Sequence, residues 1–179
     1  MVEIVENKVF YHITRQLPYM RHPPLIVGES FSVGSATNSF FGFYEGCIEY
    51  PATIDGQKLL IKAVKYLKLF QDGTLTSPNP KHLADIAVEV SRHYLMLVRE
   101  LIMEEVRKEE RADAPSRQSC LWVVETKDEA EHWAGFLLGD SEPLSVTYER
   151  ARSYWNGGIA ENSEPEVLFS GVATVIELE

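Results

Sequence analysis

Two stretches decide how the fold is read: Ser163-Glu164-Pro165-Glu166-Val167-Leu168-Phe169, and Phe10-Tyr11-His12-Ile13-Thr14 near the other end of the chain. The first sets two carboxylates two residues apart at the mouth of an apolar run. In an extended strand, alternate side chains share a face, so Glu164 and Glu166 project together. The second places a histidine in a short aromatic and β-branched pattern, which predicts a strand over 9–14. If the two segments pair as neighbours, a histidine and two acids meet in one cleft.

Between these ends the chain reads as helices followed by short strands. Residues 17–46 carry Pro18, Pro23, Pro24, Gly28, Gly34, Gly42 and Gly46, which predicts a loop. Its aromatics, Phe31, Phe40, Phe41, Phe43 and Tyr44, either line a pocket or pin the loop to the core. Leu60, Ala63, Val64 and Leu67 recur at helical spacing and predict a helix over 57–70. Lys58, Lys62 and Lys65 would lie together on another face, with Lys68 adjoining, as a phosphate grip or, more commonly, a solvated face.

A Ser77-Pro78-Asn79-Pro80 turn precedes the longest helix, predicted over 81–110, with Leu83, Ile86, Val90, Tyr94, Leu97 and Leu101 on its buried side. Ala114-Pro115 ends it. Strands are expected over 119–124, 144–148, 166–169 and 172–178. Thr126 with Glu129 three residues on makes a capping box for a helix over 127–138. A helical turn over 149–155 stops at Asn156-Gly157-Gly158. This order gives an α+β fold in a single domain over 1–179, with a long helical segment at about 57–111.

Composition narrows the function. Seventeen basic against 27 acidic side chains leave a net charge of −10, which disfavours general attraction to nucleic acid backbone. No run approaches the roughly 20 apolar residues of a spanning helix, and the N-terminus lacks the pattern of a signal peptide. Cys47 and Cys120, both in apolar surroundings, are expected as buried thiols, and a cytoplasmic setting follows. His22, His82, His93 and His132 lack ligand-like spacing, so no metal is expected.

Three fragments carry a family resemblance. Phe10-Tyr11-His12-Ile13-Thr14-Arg15 resembles the opening strand of NAD-dependent ADP-ribosyltransferases of the diphtheria-toxin-like group. Pro115-Ser116-Arg117-Gln118-Ser119-Cys120-Leu121-Trp122-Val123, with Glu129-Ala130-Glu131-His132-Trp133-Ala134, resembles the middle strand and following helix of that superfamily. Glu164-Pro165-Glu166-Val167-Leu168-Phe169 is similar to the Glu-x-Glu strand of its arginine-directed members. The chain also resembles an uncharacterised bacterial and phage family sharing the Pro-Ser-Arg phrase.

The resemblance implies two small mixed or antiparallel sheets that form a cleft for NAD, with ADP-ribose passed to an unknown acceptor as nicotinamide leaves. Glu166 would stabilise positive charge on the ribose, as glycoside hydrolysis requires, and Glu164 would orient or deprotonate the acceptor. His12 would hold a ribose hydroxyl, with Thr14 beside it. Arg15 or Arg117 would meet the pyrophosphate, and Trp122 or Tyr44 would stack on nicotinamide. A protein or small-molecule acceptor is expected over nucleic acid, with no membrane partner, and the wide apolar face of the long helix permits a homodimer.

The fragments also depart from the family. His12 stands where arginine-directed members have arginine, Ser116-Arg117-Gln118-Ser119 replaces a Ser-Thr-Ser phrase, and Trp122 or Leu121 replaces a tyrosine. Those departures favour the rival expectation, a binding or regulatory protein that keeps the fold without catalysis. An NAD-using RNA 2′-phosphotransferase is a third. An unpaired Glu166 converging with His12 and Trp122 on one cleft would favour the enzyme, and a salt-bridged or buried Glu166 the binding protein.

Overall fold

A computed structural model describes residues 2–14, 24–77, 79–138, 147–156 and 166–178. Within them the fold is α+β, with small antiparallel ladders around one dominant helix. That helix, α3 (Pro80–Glu110), is 31 residues long, or about 46 Å at the usual rise. Asn79 starts it by accepting from the Lys81 amide at 3.0 Å, with Pro80 pre-set in the first turn. Arg107 and Lys108 sit at its C-terminal end, where the helix dipole favours cations.

Three two-stranded antiparallel ladders flank it. β1 (Ser30–Val33) pairs with β6 (Gly171–Thr174), β2 (Glu49–Ile54) with β3 (Gln57–Lys62), and β4 (Leu121–Val123) with β5 (Val167–Phe169). Two small sheets lining one cleft were expected, and among the described residues the strands form three separate ladders. The strand expected over 9–14 is reduced to one bridge, Tyr11 to Val124, with both amide–carbonyl bonds at 2.9 Å. That bridge still sets the first segment beside β4, which in turn lies beside β5.

Several expectations are corrected. The helix expected over 57–70 begins only at Ala63, as α2 (Ala63–Gln71). Residues 57–62 form β3, joined to β2 by Asp55-Gly56 with both φ angles positive (50° and 78°), the conformation of a tight hairpin turn. Lys58 and Lys62 therefore lie on a strand and Lys65 and Lys68 on a helix, so the four make no single helical face. Within the segment expected as a loop, β1 and α1 (Ser39–Glu45) form. Thr147 is the N-cap of α5 (Tyr148–Trp155), not part of a strand, and 144–146 lie outside the described residues. Past Thr174 the pairing extends only through Val175, which bonds Glu29 and Gly28 at 3.0 and 2.8 Å, so the strand expected to 178 is shorter. The capping box holds: in α4 (Lys127–Leu138) the Thr126 amide donates to Glu129 at 3.0 Å, and Glu129 N–H donates to Thr126 Oγ1 at 3.2 Å.

Helix α3 serves two cores. Its first half, through Ile86 and Val90, packs with Ile61, Ala63 and Tyr66 of the hairpin and α2. Its last turns, through Met103 and Val106, pack with Ala151 and Trp155 of α5, and Leu168 of β5 leans on that cluster. The Trp155 indole N–H locks this junction by donating to the Met103 carbonyl at 2.8 Å. The buried stripe is Ile86, Val90, His93, Glu100, Met103, Glu104 and Val106, whereas Tyr94 and Leu101 face out. It is rotated from the stripe predicted because charged residues, hydropathically invisible as core, occupy two of its positions.

Met103 is 3% exposed and Leu101 is 47% exposed. Met103→Ala should therefore cost about 3 kcal/mol in a urea-unfolding midpoint series, while Leu101→Ala stays within about 0.5 kcal/mol. Equal costs would contradict this assignment of the core face.

Candidate functional site

The site grows from the turn that follows α3. Ser116 closes this turn, its carbonyl accepting from the Ser119 and Cys120 amides at 3.1 and 2.8 Å. Its hydroxyl donates to Glu104 Oε2 at 2.8 Å, and Arg107 forks onto both Glu104 oxygens at 2.8 and 2.9 Å. Asn38, the N-cap of α1, clamps the same turn from the other side. Its Oδ1 accepts from the Phe41 amide at 2.8 Å, and its Nδ2 donates to the Arg117 and Cys120 carbonyls at 2.8 and 3.0 Å. The Asn38 amide also donates to the Gln118 carbonyl at 2.8 Å.

Held in this way, Arg117 turns inward and is only 3% exposed. Its Nε and Nη2 donate to the two oxygens of Glu100 on α3, at 3.0 and 3.3 Å. Its Nη1 donates to Glu166 Oε1, at the entrance to β5, and to the Tyr154 hydroxyl of α5 at 3.1 Å. Tyr154 in turn donates to the same Glu166 oxygen at 2.5 Å. The guanidinium also faces the rings of Trp122 and Tyr154, at 5.5 and 5.4 Å. Burial works against the charged form of Arg117, but Glu166 and Glu100 overcome it and raise its pKa well above the ordinary value. Burial, then the Glu166 carboxylate, also raises the Tyr154 hydroxyl, which stays protonated as a donor.

The residues singled out in sequence divide accordingly. Glu166 and Arg117 are brought together, and Trp122 of β4 stands beside them. His12 lies one chain segment further along, its Nδ1 2.9 Å from the Trp122 carbonyl. A carbonyl only accepts, so Nδ1 carries the proton and Nε2 is left for another partner. Its outer edge meets solvent, yet the protein packed around the ring holds its pKa below the ordinary value despite the Trp122 bond. Thr14 is exposed. Tyr44 sits further away, reached from Trp122 through Phe40 by edge-on ring contacts of 5.1 and 5.0 Å. Arg15 and Glu164 lie outside the described residues.

Glu100, Tyr154 and Asn38 went unrecognised in sequence. An asparagine directly before Ser39-Phe40-Phe41 is a helix-start signal that would have found Asn38. Glu100 and Tyr154 carry no comparable local signal.

Both donors to Glu166 use Oε1, so neither bond occupies Oε2. The arrangement can hold a carboxylate rigidly and offer one of its oxygens. The Glu166 charge is not without a partner, because it shares the Arg117 guanidinium with Glu100. Among the described residues no three His, Cys, Asp or Glu side chains stand together as a metal site, and no helix is long and apolar enough to cross a membrane.

Two outcomes follow from the chemistry around this turn. Burial pushes the Cys120 thiol up to about 12, whereas Cys47, expected as buried, is exposed. Ellman's reagent at pH 8 should count one thiol in the native protein and two after denaturation. Glu104 is opposed by burial, but Arg107 and Ser116 hold its pKa below the ordinary 4.5. Its contribution to stability is therefore complete above about pH 4.5 and fades as pH falls through the lower folded value. Glu104→Gln should flatten the acid limb of a stability–pH profile and leave the neutral-to-basic shape unchanged.

Among curated proteins none matches this chain. Residues 10–146 match the model of the family described as protein of unknown function DUF2441, and this chain belongs to that family.

Proposed function

We propose that this chain is an NAD-binding domain of the ADP-ribosyltransferase type that works as a binding module, with the candidate catalytic carboxylate held out of use. The observation that carries this reading is the Glu166–Arg117 pair, buttressed by Tyr154. Stabilising an oxocarbenium-like ribose calls for a carboxylate whose charge is not already spent. The side chains of Glu166 and Arg117 are 14% and 3% exposed, so pulling them apart would leave a buried cation short of a partner. NAD recognition is supported by the three-fragment resemblance and by His12, whose oriented ring offers Nε2 to a ribose hydroxyl. The Trp122 and Phe40 rings, 5.1 Å apart, offer apolar surface on β4 and α1.

The transferase reading, in which Glu166 cleaves NAD and ADP-ribose passes to a protein or small molecule, is favoured by one specific observation. His12, Trp122 and Glu166 belong to three neighbouring segments, linked by the Tyr11–Val124 bridge and the β4–β5 ladder. Nothing comparable favours the 2′-phosphotransferase. Arg117, which that enzyme would use on phosphate, is committed to Glu100 and Glu166.

Isothermal titration with NAD, run beside a nicotinamide-release assay on wild type and Glu166→Gln, separates the readings. A binding module takes up NAD and releases nicotinamide no faster than buffer, in both proteins. A transferase releases nicotinamide and loses at least about a hundredfold of that rate in the mutant. No heat at millimolar NAD would end both.

A further inference from the structure

Away from Arg117, α1 and α3 enclose an open cavity of about 340 Å³. Phe43 and Tyr44 line it from α1, and Asp85, Glu89, Arg92 and His93 from α3. Asp85, Glu89 and Arg92 recur every three or four residues, so one face of the helix supplies all three. We propose that this groove is a binding site for an organic cation, a small molecule or side chain ending in a primary ammonium or guanidinium.

Four observations favour a cation. Two carboxylates face one guanidinium, which leaves the polar wall with a net charge of −1. The Tyr50 hydroxyl donates to Glu89 Oε2 at 2.5 Å, fixing that carboxylate in place and leaving Oε1 to accept from a ligand. Phe43 and Tyr44 add aromatic surface, and cations are attracted to ring faces within about 6 Å.

The fourth observation is His93, which is 4% exposed. Its Nε2 lies 2.9 Å from the Gly46 carbonyl, so Nε2 bears the proton and Nδ1 of the neutral ring is an acceptor. That Nδ1 is buried without a protein partner, a condition that costs stability wherever it persists. The groove thus gathers carboxylate oxygens and ring faces, with a buried ring nitrogen lacking a protein partner on one lining residue, and Arg92 is the one Lys or Arg among its lining residues. An anion would meet more repulsion than attraction there.

The site does not depend on NAD. It lies at the far end of the aromatic series Trp122–Phe40–Tyr44–His93, with ring separations of 5.1, 5.0 and 5.3 Å.

The test is isothermal titration of the full chain, without NAD, using agmatine as cation and glutarate as an anion of similar length. Agmatine should bind saturably and glutarate should give no heat. Glu89→Gln and Asp85→Asn should each weaken agmatine about tenfold or more. Both residues are exposed on the helix, so thermal melting should report intact folding for at least one variant. Raised salt should weaken agmatine binding as well. No saturable agmatine binding below about 10 mM, about −2.7 kcal/mol at 25 °C, would overturn the proposal. Glutarate binding as tightly as agmatine, or affinity unchanged in a folded variant, would do so equally.

Discussion

The buried guanidinium of Arg117 is the constraint on which the rest of the molecule depends. Removing a charged side chain from water costs several kcal/mol even after relaxation, so Arg117 is tolerable only when carboxylates and hydrogen bonds compensate it. Its partners come from four places in the chain: Glu100 on α3, Trp122 on β4, Tyr154 on α5 and Glu166 at the start of β5. One residue therefore fixes where α5 sits, how β5 enters its ladder and which way the turn after α3 faces. The supporting shell is equally specific, with Asn38 holding the turn by its backbone and Ser116 tying it to Glu104. Loss of Glu100 or Glu166 would remove one of the two carboxylates facing this buried cation, so these elements are coupled more tightly than apolar packing alone would couple them.

That coupling matters because the apolar packing is divided. The hairpin and α2 build one cluster on the first half of α3, and α5 with β5 builds another on its last turns. Between them the helix buries His93 and Glu100 and little aliphatic surface. The polar stretch is where α1 and the Arg117 turn dock. The Arg117 cluster and the groove under Phe43 and Tyr44 both border it. A long helix with an apolar cluster on each half and a polar stretch between them acts as a spine for both.

How much of this was legible in the sequence follows from what local patterns can encode. The capping box at Thr126 and Glu129, the Asn79-Pro80 start of α3 and the stop at Asn156 are short-range signals, and the structure places elements where they point. Asp55-Gly56 was an equally short-range signal of a hairpin, but Leu60, Ala63, Val64 and Leu67 happened to keep helical spacing across the junction between β3 and α2. Periodicity there described two elements as one. The burial of α3 was misread by a rotation because Glu100 and Glu104 sit in its core, and their partners Arg117 and Arg107 neutralise them only in three dimensions. Glu166 and Arg117 were each legible as candidates, but their 49-residue separation hid that they would choose each other.

That choice bears directly on the proposed function. A carboxylate about 4 Å from a developing ribosyl cation would stabilise it by roughly 4 kcal/mol at an effective dielectric of about 20. A guanidinium bonded to the same carboxylate sits little further from that cation and opposes it with nearly equal strength. Glu100 shares that guanidinium, so the opposition is partial, and the Tyr154 hydrogen bond withdraws further density from Oε1. Binding is affected differently. A ribose hydroxyl asks of Oε2 only an acceptor in a fixed place, and the Arg117–Tyr154 clamp supplies that fixity. His12, its tautomer set by the Trp122 carbonyl, offers Nε2 on the same terms. Geometry of this kind rewards holding a nucleotide over breaking it, which is why the clamp weighs more heavily here than the adjacency of the three segments.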